Sequence, residues 1–373
     1  MQKRHILTSL IFLVVIAVFV GCSFTKLSPQ FGAAAKGERL EKIKQSPNYM
    51  NGEFRNLERT DMDLGFRGMM KLLSTRLFGP KNDVEPERKL PVLEIDATAL
   101  AITQDTATVI RWLGHSAFLV EIDGKRLLLD PMLGERASPV SFMGPKRFSK
   151  LPIGIDELPQ IDAVLISHDH YDHLDYGSIQ KLANKTKHFF VPLGVGAHLE
   201  RWGVPSDKIT ELDWWLEAKF QGLSLVSTPS RHFSGRGFSD RMQTLWTSWV
   251  IQGKENKIFF SGDSGYFDGF KAIGDKYGPF DITLLENGQY NAELWPYIHM
   301  LPEQTVQAHL DLKGKLLMPI HWGTFALAMH SWADPIKRVT EEAHERGVRI
   351  TTPVIGEPVI LERKAPQREW WRE

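Results

Sequence analysis

The 373-residue chain has almost no cysteine and no excess of charge of either sign. Cys22 is its only cysteine, and 45 Lys and Arg residues balance 45 Asp and Glu residues. A single cysteine excludes an internal disulfide framework and a metal site built from several thiolates. Balanced charge argues against a nucleic-acid partner, which normally meets a clustered basic excess. The chain also lacks Gly-x-Ser-x-Gly and Walker-type motifs, so neither a serine-hydrolase elbow nor a phosphate-binding loop is expected.

The N-terminus departs from this ordinary composition. A basic start, MQKRH, is followed by residues 6–21, which carry no charge, and then by Cys22. This pattern predicts a signal peptide over residues 1–22, because the apolar run is shorter than the roughly 20 residues that span a membrane. Phe-Val-Gly-Cys at its end resembles a bacterial lipobox, in which Cys22 becomes lipid-modified; an uncleaved anchor is the alternative.

The predicted location is therefore the cell envelope, with a lipid anchor at Cys22 holding the protein on the periplasmic or exterior side. Ser23 after the cysteine resembles the signal for outer-membrane sorting, should the source have two membranes.

The rest of the chain divides into an irregular part and a regular part. Prolines interrupt residues 23–100, which we interpret as a tether and an N-terminal extension. From Thr108 onward hairpin patterns and strand-helix units alternate, beginning with a turn at Asp123-Gly124. The mixture predicts an α/β domain over residues 101–365, with two sheets or one folded sheet and helices outside, followed by a tail over residues 366–373.

The most informative stretch is ISHDHYDHLD, which begins at the last residue of the apolar run AVLI. Its side chains His168, His170, Asp172 and His173 can point from a tight loop at the end of a buried strand, where α/β proteins build their sites. Imidazole and carboxylate together are typical ligands of catalytic zinc. A solvated turn is the alternative, but imidazoles packed this closely need a shared cation or strong pKa shifts.

Three further candidates follow other apolar strands. His232 comes after LSLVSTPSR, Asp263 after KIFFSG and His321 after KLLMPI. The seven candidates suffice for two metals when Asp263 bridges them, and they exceed the four ligands of a closed structural zinc. That surplus argues against a non-enzymatic envelope lipoprotein with a structural zinc. His115 in WLGHSAF is interpreted as a supporting or structural residue.

These motifs carry a family resemblance over about residues 108–337. The set HDHYDH, PSRH, FSGDSGYF and PIHWGTF is similar to the metallo-β-lactamase superfamily. The stretches HYDHLD, LWTSWVIQG, LLENGQY, HMLPEQTVQAH and IHWGTFALA resemble, more closely, the N-acylphosphatidylethanolamine-hydrolysing phospholipase D family.

The resemblance implies a four-layer αββα sandwich with two zinc ions (Zn2+) per chain. The implied ligands are His168, His170 and His232 for one zinc and Asp172, His173 and His321 for the other, with Asp263 as the bridge. It also implies that Tyr171 and His299 contact the substrate. Two zinc ions would lower the pKa of a bridging water, and the resulting hydroxide would attack a phosphodiester, with Asp172 able to orient it.

The sequence therefore predicts a binuclear zinc phosphodiesterase of phospholipase D type, acting on N-acylphosphatidylethanolamine or related glycerophospholipids. A lipid anchor would hold such an enzyme where its phospholipid partner is concentrated. The alternative is a metal-dependent hydrolase of another small substrate, such as a lactone or a sugar-phosphate lactone. A lipid-wide cleft would favour the first and a narrow polar cleft the second.

Overall fold

The computed structural model describes residues 28–62, 68, 70, 74, 83–101, 107–237 and 239–373. Cys22 and the predicted signal peptide lie outside the described residues. Among the residues that are described, no helix has both the length and the apolar character needed to cross a membrane.

Two sheets form the centre of the fold, after a short hairpin of β1 (Tyr49–Met50) and β2 (Glu53–Phe54). The first sheet has the order β15-β3-β4-β5-β6-β7-β8. Its strands are β3 (Val109–Gly114), β4 (Ala117–Ile122), β5 (Lys125–Leu129), β6 (Ile161–Leu165), β7 (Thr186–Pro192), β8 (Ile209–Leu212) and β15 (Pro358–Ile360). Strands β3, β4, β5 and β15 pair antiparallel, whereas β5 to β8 pair parallel. The predicted turn joins β4 to β5, with Asp123 and Gly124 both at positive φ.

The second sheet has the order β14-β13-β12-β11-β10-β9. Its strands are β9 (Glu217–Phe220), β10 (Leu223–Thr228), β11 (Ser248–Gln252), β12 (Lys257–Phe260), β13 (Ile282–Glu286) and β14 (Leu317–Ile320). Strands β9 to β12 are antiparallel, including the hairpin of β11 and β12, and β12 to β14 are parallel. Both sheets are thus mixed, as the alternation of hairpins and strand-helix units predicts.

Helices cover the outer faces of both sheets. The described helices are α1 (Gly37–Lys44), α2 (Ala97–Ala101), α3 (Tyr176–Leu182), α4 (Gly196–Arg201), α5 (Gly269–Tyr277), α6 (Pro302–Asp311) and α7 (Asp334–Glu345). One apolar core lies between the sheets and continues through the second sheet to α5, α6 and α7. Another lies between the first sheet and the helices α3 and α4. This arrangement is the four-layer αββα sandwich that the resemblance implies.

Segments on both sides of the predicted domain pack against the sandwich. Arg39 in α1 forms salt bridges with Glu200 and Glu211 at 2.7 and 2.6 Å. At the other end, the buried Trp370 stacks on Trp322 with 5.1 Å between ring centroids. The predicted boundaries stay predictions, but residues that flank them contribute to the same packed unit.

Candidate metal centre

The predicted ligands come from the ends of four strands that meet at one edge of the sandwich. The motif follows β6, and the other three ligands follow β10, β12 and β14. Hydrogen bonds between the sheets hold this edge together: Thr247 N donates to Ser167 O at 2.9 Å, and Trp249 Nε1 donates to Ile166 O at 3.0 Å. Gly262, at φ 55°, is required here because a Cβ on it would lie 2.4 Å from the Cβ of Ser167.

Four side chains converge as a first ligand group, defined as His168, His170, His232 and Asp263. His170 Nδ1 lies 2.9 Å from His168 Nε2 and 3.2 Å from His232 Nε2. Asp263 Oδ2 lies 3.8 Å from His168 Nε2 and 3.7 Å from His232 Nε2.

A second ligand group consists of Asp172, His173, His321 and again Asp263. Asp263 Oδ1 lies 3.1 Å from His173 Nε2 and 3.2 Å from His321 Nε2. Asp172 Oδ2 is 3.4 and 3.2 Å from the same two nitrogens. Ligands about 2.0–2.2 Å from a tetrahedral zinc stand roughly 3.3–3.6 Å apart, so both groups have suitable spacing. Since each oxygen of Asp263 faces a different group, this carboxylate is placed as the predicted bridge requires.

The unpaired atoms of this cluster test whether a metal fits. His173 Nε2 and Asp263 Oδ1 are buried and lie 3.1 Å apart, but they are not aligned as a hydrogen bond and neither has another hydrogen-bond partner. A buried polar atom without a partner costs about 1–3 kcal/mol, more when it is charged. A cation between the nitrogen and the oxygen would satisfy both atoms, and a mixed set of imidazole and carboxylate suits zinc and similar divalent metals.

Neighbouring groups orient the ligand histidines. His173 Nδ1 donates to Asp130 Oδ2 at 2.7 Å, and Asp130 is itself fixed by the N–H of Ser167 at 2.6 Å. His232 Nδ1 donates to the carbonyl of Ile298 at 2.9 Å. In both histidines the proton is held on Nδ1, so that Nε2 is free to bind a metal.

The two ligand groups differ in electrostatics. Burial lowers the pKa of His168, His170 and His232, which keeps these imidazoles neutral, as metal ligands must be. Burial also acts to lower the pKa of His173 and His321, but the nearby carboxylates outweigh it. Asp263 contributes most to this, raising the pKa of His321 to about 10. The second group thus combines strongly interacting opposite charges.

Asp172 and His115 form a further contact within the second group. Burial alone would raise the pKa of Asp172, but His173 and the other surrounding imidazoles hold it well below its usual value. His115 Nε2 lies 2.9 Å from Asp172 Oδ2, and its ring is 4.1 Å from that of His321. Burial lowers the pKa of His115 to about 3, so its neutral ring donates to the Asp172 carboxylate. The supporting role of His115 stays a prediction, because its side chain also lies among those of Asp172, His173 and His321 that could hold a metal.

His299, the predicted substrate-contacting histidine, lies at the rim of the ligand groups. Its ring stacks on that of His321 at 5.2 Å and lies 5.1 Å from that of His232. Its Nδ1 is 3.1 Å from Oε2 of the fully buried Glu286, whose other oxygen accepts from the N–H of Met300.

Tyr171 has a different environment. Its hydroxyl donates to the carbonyl of Arg236 at 2.6 Å, and the guanidinium of Arg236 lies over its ring at 4.1 Å. Burial raises the pKa of the phenol. These contacts are structural, and the substrate contact of Tyr171 stays a prediction.

The other two aspartates of the motif have structural roles. Asp169 accepts from the N–H of Gly235 and from the hydroxyl of Thr244, both at 2.8 Å. Asp175 caps α3 by accepting from Ser178 N at 2.8 Å. Asp172 is thus the one aspartate of the three that faces the metal-binding histidines.

Asp130 and Glu286 are absent from the sequence prediction although both contact predicted site residues. Each directly follows or ends an apolar strand, in LLLD and in TLLE. Asp263 was predicted from the same position after an apolar strand, so this pattern predicts all three acidic residues as site residues.

The combination of fold and site defines a class of protein. Two adjacent groups of histidine and carboxylate side chains that both include Asp263, at the strand ends of an αββα sandwich, suit a metal-dependent hydrolase.

The family model described as beta-lactamase superfamily domain matches residues 125–322, just over half of the chain. The chain therefore belongs to the metallo-β-lactamase superfamily, and it is a metal-dependent hydrolase by fold and candidate site.

Several curated relatives and one solved structure are similar to this chain. Uncharacterized protein Rv0906 of Mycobacterium tuberculosis is 43% identical over 88% of both chains. N-acyl-phosphatidylethanolamine-hydrolyzing phospholipase D 1 of Caenorhabditis elegans is 34% identical, over 64% of this chain and 69% of the relative. Outer membrane protein RomA of Klebsiella pneumoniae is 53% identical over 27% of this chain and 75% of its own length. The metallo hydrolase Igni18 of Ignicoccus hospitalis superposes with a TM-score of 0.53 at 23% identity, over 69% of this chain and all of that chain.

Proposed function

We propose that the protein is a two-zinc phosphodiesterase of phospholipase D type that acts on N-acylphosphatidylethanolamine or related glycerophospholipids. The similarity to the C. elegans phospholipase supports the reaction. The observation that carries the substrate class is an apolar wall beside the first ligand group.

The wall begins at Phe233, whose ring lies 4.3 Å from that of His170 and 4.8 Å from that of His232. Phe233 packs with the buried side chains of Leu294, Trp295, Ile298 and Ala328, and with Met62. Only Phe233 and Met62 of this cluster are partly exposed, and they place apolar side chains next to hydrophilic ligands, which suits a substrate with a phosphodiester head and acyl chains. A small polar substrate would gain nothing from it.

The chain's own groups have separable tasks in this proposal. The first and second ligand groups would each hold one zinc ion, with Asp263 shared between them. Bound divalent cations at such a site activate water and neutralise the charge of phosphoryl oxygens. His299 donates Nδ1–H to Glu286, which leaves Nε2 free to hydrogen-bond to the substrate.

The reaction is a hydrolysis. The oxygen of water forms a new bond to phosphorus, the bond from phosphorus to the ethanolamine oxygen breaks, and the departing oxygen takes up a proton. The products would be a phosphatidic acid and an N-acylethanolamine, and neither a covalent enzyme intermediate nor a redox partner is required.

The proposed location is the cell envelope, with a lipid anchor at Cys22. The name of the Klebsiella relative, an outer membrane protein, supports this location. Labelling of the native host with a radioactive fatty acid, comparing the full chain with Cys22→Ser, would test the anchor directly.

The enzymatic proposal is tested with the full chain in detergent. Metal per chain is measured first, and then turnover of N-acylphosphatidylethanolamine, of a soluble aryl phosphodiester and of a panel of lactones. We expect about two zinc ions per chain and release of phosphatidic acid, both reduced in His170→Ala and in Asp263→Ala. His188→Ala is the matched control, because His188 lies on β7, where it hydrogen-bonds to Thr210 and packs against Phe190 and Phe220, and it belongs to neither ligand group. Two metals with turnover of lactones alone would move the protein to another branch of the superfamily and refute the phospholipase proposal.

A further inference from the structure

We propose that four exposed apolar side chains around the metal centre form a rim that inserts into the surface of a lipid bilayer. This apolar rim consists of Leu57, Phe142, Met143 and Tyr297, with exposed fractions of 55%, 79%, 64% and 42%. Single exposed apolar residues are ordinary, but several on one edge mark an interaction surface. The proposal rests on the proposed function for the identity of the lipid as substrate, whereas the rim itself is defined by the structure.

The first part of the rim, Leu57, is held against a predicted ligand. The side chain of the preceding residue, Asn56, donates to the carbonyl of His232 at 2.8 Å and accepts from its N–H at 3.1 Å. Leu57 is therefore carried by a segment that is fixed to the backbone of the first ligand group.

The second part, Tyr297, lies on the other side of the same ligand. The next residue, Ile298, accepts the hydrogen bond from His232 Nδ1. The ring of Tyr297 packs under the guanidinium of Arg231 at 4.5 Å, and Arg231 directly precedes His232. Tyr297 is amphipathic, as residues at membrane interfaces often are.

The third part is the tip of the long connection between β5 and β6. Phe142 and Met143 lie at the end of a ribbon whose two sides are joined by Ala137 N to Pro145 O at 3.1 Å and by Arg136 Nη1 to Gly144 O at 2.7 Å. These bonds give the tip a defined direction, although its two apolar side chains are largely in solvent.

The base of this ribbon is fixed beside the second ligand group. Phe148 N donates to Thr324 O at 3.0 Å, and the guanidinium of Arg147 lies 5.0 Å from the ring of Phe325. Thr324 and Phe325 follow His321 by three and four residues. Three separate segments therefore attach the apolar rim to the edge that holds the metal centre.

The start of the described chain lies at this edge as well. The carbonyl of Pro29 accepts from Trp202 Nε1 at 2.6 Å, and the ring of Trp202 packs edge-on against Tyr176 at 5.5 Å. Tyr176 is the first residue of α3 and lies three residues after His173. Cys22, the predicted acylation position, precedes Ser28 by six residues, which reach at most roughly 20 Å. A lipid on Cys22 would therefore enter a bilayer near the apolar rim.

Charge near the tip fits a phospholipid surface. Arg136 and Lys146 flank Phe142 and Met143, and Lys146 pairs with Glu135 at 3.0 Å while remaining largely exposed. Basic residues beside exposed aromatic and aliphatic side chains favour binding to anionic lipid surfaces, because electrostatic attraction adds to apolar burial. A second copy of the chain is the competing occupant.

The test uses the full chain with Cys22→Ser, which removes both the acyl position and the only thiol. Vesicles of phosphatidylethanolamine and phosphatidylglycerol are sedimented with this protein, with Phe142→Gln/Met143→Gln added, or with Leu310→Gln added as control. Leu310 is 39% exposed and lies near the C-terminal end of α6, whose N-terminal end is next to the site. We expect the tip variant to partition at least about tenfold more weakly, equivalent to about 1.4 kcal/mol, and the control to be unchanged.

A second measurement reports the tip directly. In the thiol-free chain, Phe142→Cys and Leu310→Cys are each labelled with an environment-sensitive fluorophore. Vesicles should shift the emission of the label at position 142 to the blue and leave that at position 310 unchanged. Unchanged emission at both positions, or equal partitioning of the tip variant, would overturn the proposal. A tip variant that instead changes the mass in sedimentation equilibrium without lipid would assign the rim to a dimer and also overturn it.

Turnover of a soluble phosphodiester separates this proposal from the proposed function. The tip variant should retain that turnover while it loses vesicle binding, because Phe142 and Met143 belong to neither ligand group. If no variant cleaves any phospholipid but the label at position 142 still enters the bilayer, the proposed function fails and the membrane-contacting rim stands.

Discussion

Replacement of Asp130 by asparagine tests how the fold selects the metal-binding form of His173. Asp130 is fully buried and accepts hydrogen bonds from Ser167 N and from His173 Nδ1. Asparagine has the same shape, and its carbonyl can still accept from Ser167. Its NH2 group would then face His173 Nδ1, so Nδ1 must accept a hydrogen bond and the proton moves to Nε2. The nitrogen that points at Asp263 and Asp172 would carry a hydrogen in place of a free lone pair.

The size of the expected loss in metal affinity follows from the position of Asp130, which hydrogen-bonds to the predicted ligand His173. Loss of such a partner typically lowers metal affinity or activity by about 10–100-fold, or about 1.4–2.8 kcal/mol. We expect Asp130→Asn to retain the metal of the first ligand group and to bind the second metal this much more weakly, as measured by zinc titration against a competing chelator. Asp162→Asn is the matched control, because Asp162 is buried in β6 and contacts Arg126 and Lys187 instead of a ligand. Equal affinity of both metals in Asp130→Asn, with a normal melting temperature, would refute the argument that this carboxylate selects the tautomer.

Three other substitutions probe the surroundings of the site. Arg236 donates hydrogen bonds to backbone carbonyls of the metal-binding loop and to the carbonyl of Gln30 in the N-terminal segment. Arg236→Met removes these bonds, so the melting temperature should fall and limited proteolysis should cut the chain before residue 40. Gly265→Ala would place a Cβ 1.8 Å from the carbonyl of Tyr297, so phospholipid turnover should fall while zinc content is retained. Trp370→Ala should destabilise the fold by about 3–5 kcal/mol in denaturant unfolding, because it empties a buried stack on Trp322.

Individual strands and turns of the fold could be predicted because their periodicity is local, whereas the four-layer arrangement was implied by the family resemblance. The turn at Asp123-Gly124 and the hairpin of β11 and β12 are determined by a few neighbouring residues. The C-terminal tail shows the limit of such reasoning. Trp370 and Trp371 belong to the main core, but their burial depends on Trp322, which is about 48 residues away in sequence. Pairing of distant aromatic residues leaves no pattern in the tail itself.

In the candidate site, too, local sequence predicts some features, whereas others depend on contacts between distant segments. All seven predicted ligands converge, because each follows an apolar strand and the parallel strands direct their C-terminal ends to one edge. The roles of neighbouring residues within the motif could not be separated in this way. Tyr171 bonds to Arg236, a residue in a distant loop, and Asp169 turns toward Thr244. Contacts of this kind depend on where a separate loop folds back, which no local spacing encodes.

The formal charges of the assembled site favour two metals over one. Four carboxylates contact the ligand histidines, namely the buried Asp130, Asp263 and Glu286 and the partly buried Asp172. They carry four formal negative charges, and two divalent cations carry the same number of positive ones. With a single cation in the first ligand group, the second group would retain excess negative charge in a buried environment, which is costly unless protons compensate it. The raised pKa values of His173 and His321 indicate that these rings would hold those protons. Filling the second group should therefore release protons, so zinc binding followed in two buffers of different ionisation enthalpy would distinguish one site from two.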